Sequence, residues 1–158
     1  MYSPNEIAAL FTKLAKEQSQ HLTHMQLQKL TYIAHGFKLA ITRGQQGLIS
    51  EPVNAWKFGP VIPSLYHALK TYGNGYVPEL NMRINIDPED AEIVRAVYET
   101  YGHLDGVSLS ELTHRNGTPW HQTWIDYNGR NQVGAVIPDS AIRDYYTAYL
   151  GCGTAQGL

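Results

Sequence analysis

Three times along this chain a residue suited to cap a helix is followed three positions later by a carboxylate or amide: Ser3 with Glu6, Thr23 with Gln26, Ser108 with Glu111. This is the reciprocal capping pattern, in which each side chain satisfies a backbone N–H that the first helical turn leaves without a partner. Prolines reinforce the same grammar. Pro4, Pro88 and Pro119 each stand where a first helical residue would, directly after Ser3, Asp87 and Thr118, and there the missing N–H costs nothing. So many marked helix starts within 158 residues constrain the chain to a mainly helical fold.

The apolar spacing agrees. Ile7, Leu10, Phe11 and Leu14 fall on one face of a first helix, and Leu27, Leu30, Ala34, Phe37 and Ile41 on one face of a second. Ile33 and Ala40 widen that second stripe, which places the helix at the centre of the core. Gly36 inside it costs about 1 kcal/mol relative to alanine, and a close helix crossing is the expected compensation. Further helices are expected over "SLYHALKTYG", "AEIVRAVYETYG", "SLSELTHRNG" with Ser108 as its cap, a short turn after Thr118, and "PDSAIRDYYTAYL" ending at Gly151. "NMRINI" alternates as a strand does, and pairing with residues 52–57 is expected to make a small two-stranded ribbon. The fold class is therefore mainly α, one compact domain over residues 1–150 of about six or seven helices with that ribbon, and a flexible tail at 151–158.

Composition limits the function. A hydrophobic fraction of 43% with 16% charged residues is globular, and a formal net charge of -2 offers no broad positive field for nucleic acid or anionic lipid. The single cysteine, Cys152, the lack of a secretory leader pattern and the lack of a long apolar run fit a soluble cytoplasmic protein. Phosphate loops, dinucleotide fingerprints and nucleophile elbows do not occur. His21 and His24 lack a ligand set in a metal spacing, and His114 and His121 flank a turn where bonding to a loop carbonyl is the expected use. No catalytic residue, metal or cofactor is expected.

Two aromatic, proline-punctuated turns remain, "AWKFGPVIPSLY" at 55–66 and "THRNGTPWHQTW" at 113–124. Each combines a glycine, a proline and a tryptophan beside a helix start, as a buried joint between elements requires. Trp56 and Phe58 are expected to end the ribbon in the core, and Pro63 to help start the next helix.

These turns, with "LQKLTYIAHGFKLAI" before them and "VIPDSAIRDYY" after, resemble the Panacea antitoxin domain, also called the SocA-like or GepA-like phage-associated domain, over residues 4–150. The motif positions are Gln28, Lys29, Leu30, Tyr32, Gly36, Trp56, Lys57, Gly59, Pro60, Val61, Ser64, Tyr66, Glu111, Thr113, His114, Gly117 and Trp120. The resemblance implies an antitoxin of a bacterial or prophage toxin–antitoxin pair that neutralises a cognate toxin by direct contact. One branch of the family is similar but delivers its toxin to a Clp-type protease, and that adaptor role is the alternative. An enzyme built on His114 and His121 is a third, weaker one. With about three residues before the domain and eight after it, DNA binding by this chain alone is not expected, and its self-association is left open. Tyr145, Tyr146 and Tyr149 on the last helix, the 126–137 loop, Lys57 and Arg115 are the candidate toxin contacts, because aromatic side chains and rim cations anchor protein interfaces.

Overall fold

The computed structural model describes residues 1–155, with side chains through Gly151. Seven α-helices carry the fold: α1 (Pro4–Glu17), α2 (His24–Ile41), α3 (Pro63–Leu69), α4 (Pro88–Tyr101), α5 (Gly106–His114), α6 (Pro119–His121) and α7 (Asp139–Ala155). Five short strands lie between them: β1 (Leu22–Thr23), β2 (Val53–Trp56), β3 (Gly59–Val61), β4 (Tyr76–Val77) and β5 (Val136–Ile137). Strand β1 pairs antiparallel with β4, and β2 lies between β3 and β5 in a second antiparallel sheet. None of these helices is long and apolar enough to cross a membrane.

The start signals are used with local variations. Ser3 accepts from the Glu6 N–H, and Thr23 forms the full capping box with Gln26. Glu6 does not return the favour to Ser3, because its carboxylate instead accepts from the Asn85 N–H at 2.6 Å. Helix α5 begins three residues earlier than its sequence suggests. Asp105 rather than Ser108 is its cap, and Asp105 accepts from the Ser108 N–H at 2.8 Å. A carboxylate is the stronger acceptor at a helix N-terminus, since it also meets the positive end of the dipole.

The expected pairing of "NMRINI" with residues 52–57 is not what forms. Residues 81–86 are irregular, and β2 pairs with its sequence neighbour β3 and with the distant β5. The alternation has another cause: Ile84 and Ile86 pack on the core while the residues between them face solvent, with the Asn85 N–H taken by Glu6. Helix α7 runs on to Ala155, past the expected stop at Gly151; residues 156–158 of the expected tail lie outside the described residues.

Helix α2 is the axis of the molecule. Twelve of its eighteen residues are buried, and it contacts α1, α3, α4, α5 and α7. A helix enclosed on nearly all sides has no solvent face for its polar residues. Gln28, Lys29, Thr31 and His35 are accordingly buried with the apolar ones. His35 Nδ1 accepts from the Leu48 N–H at 3.1 Å, leaving Nε2 to donate to Asp139 at 3.0 Å. One imidazole thus ties the 44–50 loop to the start of α7.

The crossing at Gly36 is with α7. A Cβ there would lie 2.3 Å from Cδ2 of Tyr146, whose ring occupies the space the glycine leaves. Gly36→Ala must push that ring aside and is expected to cost about 1–3 kcal/mol, read as a lowered urea midpoint; an unchanged midpoint would show the crossing to be loose.

Candidate functional site

Strands β2 and β3 form a hairpin whose two turn residues are Lys57 and Phe58, closed by the Trp56–Gly59 pair. Gly59 has φ +122°, a conformation open to glycine, and a Cβ there would meet Lys29 Nζ at 3.0 Å. The hairpin is short, its β3 strand is an edge, and Pro60 has no N–H to give a ladder. Side chains supply what a further strand would have supplied. Trp120 Nε1 donates to the Trp56 carbonyl at 2.6 Å, Ser110 Oγ to the Phe58 carbonyl at 2.7 Å, and Lys29 Nζ to the Pro60 carbonyl at 2.8 Å. Gln28 completes the series by accepting from the Ile62 N–H at 2.9 Å and donating to the Ile62 carbonyl at 3.2 Å. Four alternate residues, 56, 58, 60 and 62, are therefore held from α2, α5 and α6.

The rest of the motif set surrounds this clamp. Tyr66 packs edge-on against Trp56 with ring centroids 4.8 Å apart and tilts against His24 at 5.2 Å. His114 stands edge-on to Trp120 at 5.2 Å, with Nδ1 directed at the Ser110 carbonyl. Thr113 bonds the Leu109 carbonyl, Ser64 donates to Glu51, and Val61, Leu30 and Tyr32 are buried. Gly117 takes the positive φ of the second turn, +89°. Glu111 is exposed and offers only its backbone carbonyl, to Arg115 N.

Trp56 is half-buried and Phe58 is 66% exposed, so neither ends the ribbon in the core. The reason is register: Phe58 belongs to the turn and not to a strand face, and the buried indole of the joint is Trp120, 5% exposed. Beneath the turn lies a cavity of ≈ 380 Å³, walled by Trp56, Phe58 and Tyr66 and carrying Lys29, Lys57 and Lys70. Burial pushes the Lys29 amine down to about 7, and His24 is lowered by its own burial and then by the charge of Lys29. Lys29 was legible only as a motif position. Its depth follows from the enclosure of α2, where polar residues turn inward.

The candidate contact residues separate. Lys57 is exposed at the turn, and Arg115 follows His114, whose Cβ lies beside Gly59. Tyr146 is buried under α2, so it packs the core and presents no surface. Tyr145 is half-buried, and Tyr149 is exposed at 44% with its hydroxyl accepting from Tyr101 at 2.9 Å. Tyr149 stacks on Phe37, eight residues along α2 from Lys29 and about 12 Å farther along its axis. In the 126–137 loop, Tyr127, Val133 and Val136 are exposed. Among the described residues no group of three His, Cys, Asp or Glu side chains converges as metal ligands; His21 lies against Tyr76, and His24 bonds Gln28.

Fold and site thus define a helical scaffold that clamps one hairpin from several helices and presents its tip. The family described as "Antitoxin SocA-like, Panacea domain" matches residues 27–121, the stretch that contains both halves of the clamp, and the chain belongs to that family. It is also similar to Antitoxin SocA of Caulobacter vibrioides (strain NA1000 / CB15N), 29% identical over 139 residues that cover 79% of this chain and 72% of the relative. No solved structure matches.

Proposed function

We propose that this chain is an antitoxin that binds a cognate toxin in the cytoplasm and holds it inactive, residues 1–150 acting as one domain. The observation that carries the reading is the family match across the hairpin clamp, supported by the similarity to a protein named as an antitoxin. The clamp suits the role physically. A turn held by side chains at four carbonyls loses little conformational freedom on binding, and preorganisation of that kind reduces the entropic cost of association. Lys57 and Phe58 at the tip and Arg115 nearby form one contact region, and Tyr149 with Tyr145 a second.

Expression of the toxin encoded beside this chain should arrest growth, and co-expression of this chain should restore it with the toxin level unchanged or raised. A toxin that is harmless alone, or equally lethal in the presence of soluble antitoxin, overturns the proposal. Rescue with protease-dependent loss of the toxin would instead assign the chain the role of an adaptor to a Clp-type protease.

A further inference from the structure

The cavity under the hairpin tip holds more positive charge than its place in the fold requires. Lys29 is 3% exposed, and its Nζ has one acceptor among the described residues, the Pro60 carbonyl. An ammonium has three donors, and inside a protein the unused ones are expensive. Lys57 and Lys70 line the same cavity, no carboxylate is among its lining residues, and none of the three lysines forms an ion pair among the described residues. The walls are aromatic, and Met25, exposed at 41%, extends them.

We propose, resting on the antitoxin reading, that this cavity seats a carboxylate carried beside an apolar side chain on a segment of the toxin. The carboxylate supplies the acceptors that Lys29 lacks, Lys57 and Lys70 close over it from the rim, and the neighbouring apolar group packs on Phe58 and Trp56. A volume of ≈ 380 Å³ fits one or two side chains of a partner. Burial leaves the Lys29 amine at about 7, so an arriving carboxylate readily completes its charge. A nucleic-acid backbone is a poorer fit, since it asks for cations repeating along a groove, whereas these three line a single cavity in a chain of net charge -2.

The test uses the full chain, the purified toxin encoded beside it, and two peptides, acetyl-Leu-Glu-Leu amide and its glutamine counterpart. The glutamate peptide is expected to shift the Lys29 side-chain resonances in NMR spectra and the glutamine peptide to leave them in place. The exposed rim variant K57E/K70E should keep the wild-type melting temperature and bind toxin about 30-fold or more weakly, because it sets two glutamates of like charge beside the incoming carboxylate. Lys29→Met should show the same weakening; if it fails to fold, the rim variant and the peptides decide. An equal response to both peptides, a response to inorganic phosphate but not to the glutamate peptide, or full toxin affinity in K57E/K70E overturns the proposal. Failure of the wild-type chain to bind the toxin would instead overturn the antitoxin reading, and the peptide comparison still decides the chemistry of the cavity.

Discussion

Trp120→Ala is expected to destabilise the domain by about 3–5 kcal/mol, the range for deleting a large buried aromatic side chain. Three losses coincide at this position. The indole is 5% exposed, its Nε1 donates to the Trp56 carbonyl, and its ring supports Trp124, stacked at 5.9 Å, and His114, edge-on at 5.2 Å. For a domain of this size each kcal/mol lowers the melting temperature by roughly 2–4 °C. Trp120→Ala should therefore melt about 6–20 °C below the parent. Trp120→Phe, which keeps an aromatic ring but not the donor, should fall between. A loss under about 1 kcal/mol would mean that the second turn does not bolt the hairpin to the core.

Gln28→Leu should cost about 1–3 kcal/mol despite its similar volume. Its carboxamide accepts from the N–H of Ile62, a residue with 0% exposure, and leucine leaves that buried N–H without a partner, while the Ile62 carbonyl keeps the Tyr66 N–H. An abandoned buried backbone N–H carries a desolvation penalty of about 1–3 kcal/mol. Urea unfolding measures the loss. Combining Gln28→Leu with Trp120→Ala should give less than the sum, because both hold one hairpin and either change loosens the other's contact. Strict additivity would show two independent attachments rather than one clamp.

Much of the helical framework was legible because helix starts are local. Ser3 before Pro4, Thr23 with Gln26, Asp87 before Pro88 and Thr118 before Pro119 lie where their chemistry places them, at the starts of α1, α2, α4 and α6. Apart from the cap of α5, where Asp105 displaces Ser108 locally, the sequence misleads where the deciding partner is distant. Glu6 is drawn off by Asn85, seventy-nine residues away, and β2 finds β5 across more than eighty residues, which no periodicity in "NMRINI" could reveal. The tyrosines of α7 show the same limit. Periodicity puts Tyr145, Tyr146 and Tyr149 on one helix, but only the gap at Gly36 decides that Tyr146 is inside.

The site was half visible. "AWKFGP" marked a turn and "TPW" its counterpart, yet the hydrogen bond from Trp120 to Trp56 spans sixty-four residues. Lys29 was the least legible residue, since lysine on a helix is ordinarily solvated. The available signal was the width of the apolar stripe on α2: a helix buried nearly all round must pair its polar residues internally, as Gln28, Lys29 and His35 do.

Neutralisation by direct binding is tested by size-exclusion chromatography with mass determination, using this chain and an inactive variant of the toxin encoded beside it. Co-elution as one stable complex at micromolar concentration is expected, with K57E/K70E shifting the mixture toward separate peaks. Separate elution of the wild-type chain and the toxin, while this chain still protects cells, would contradict direct neutralisation.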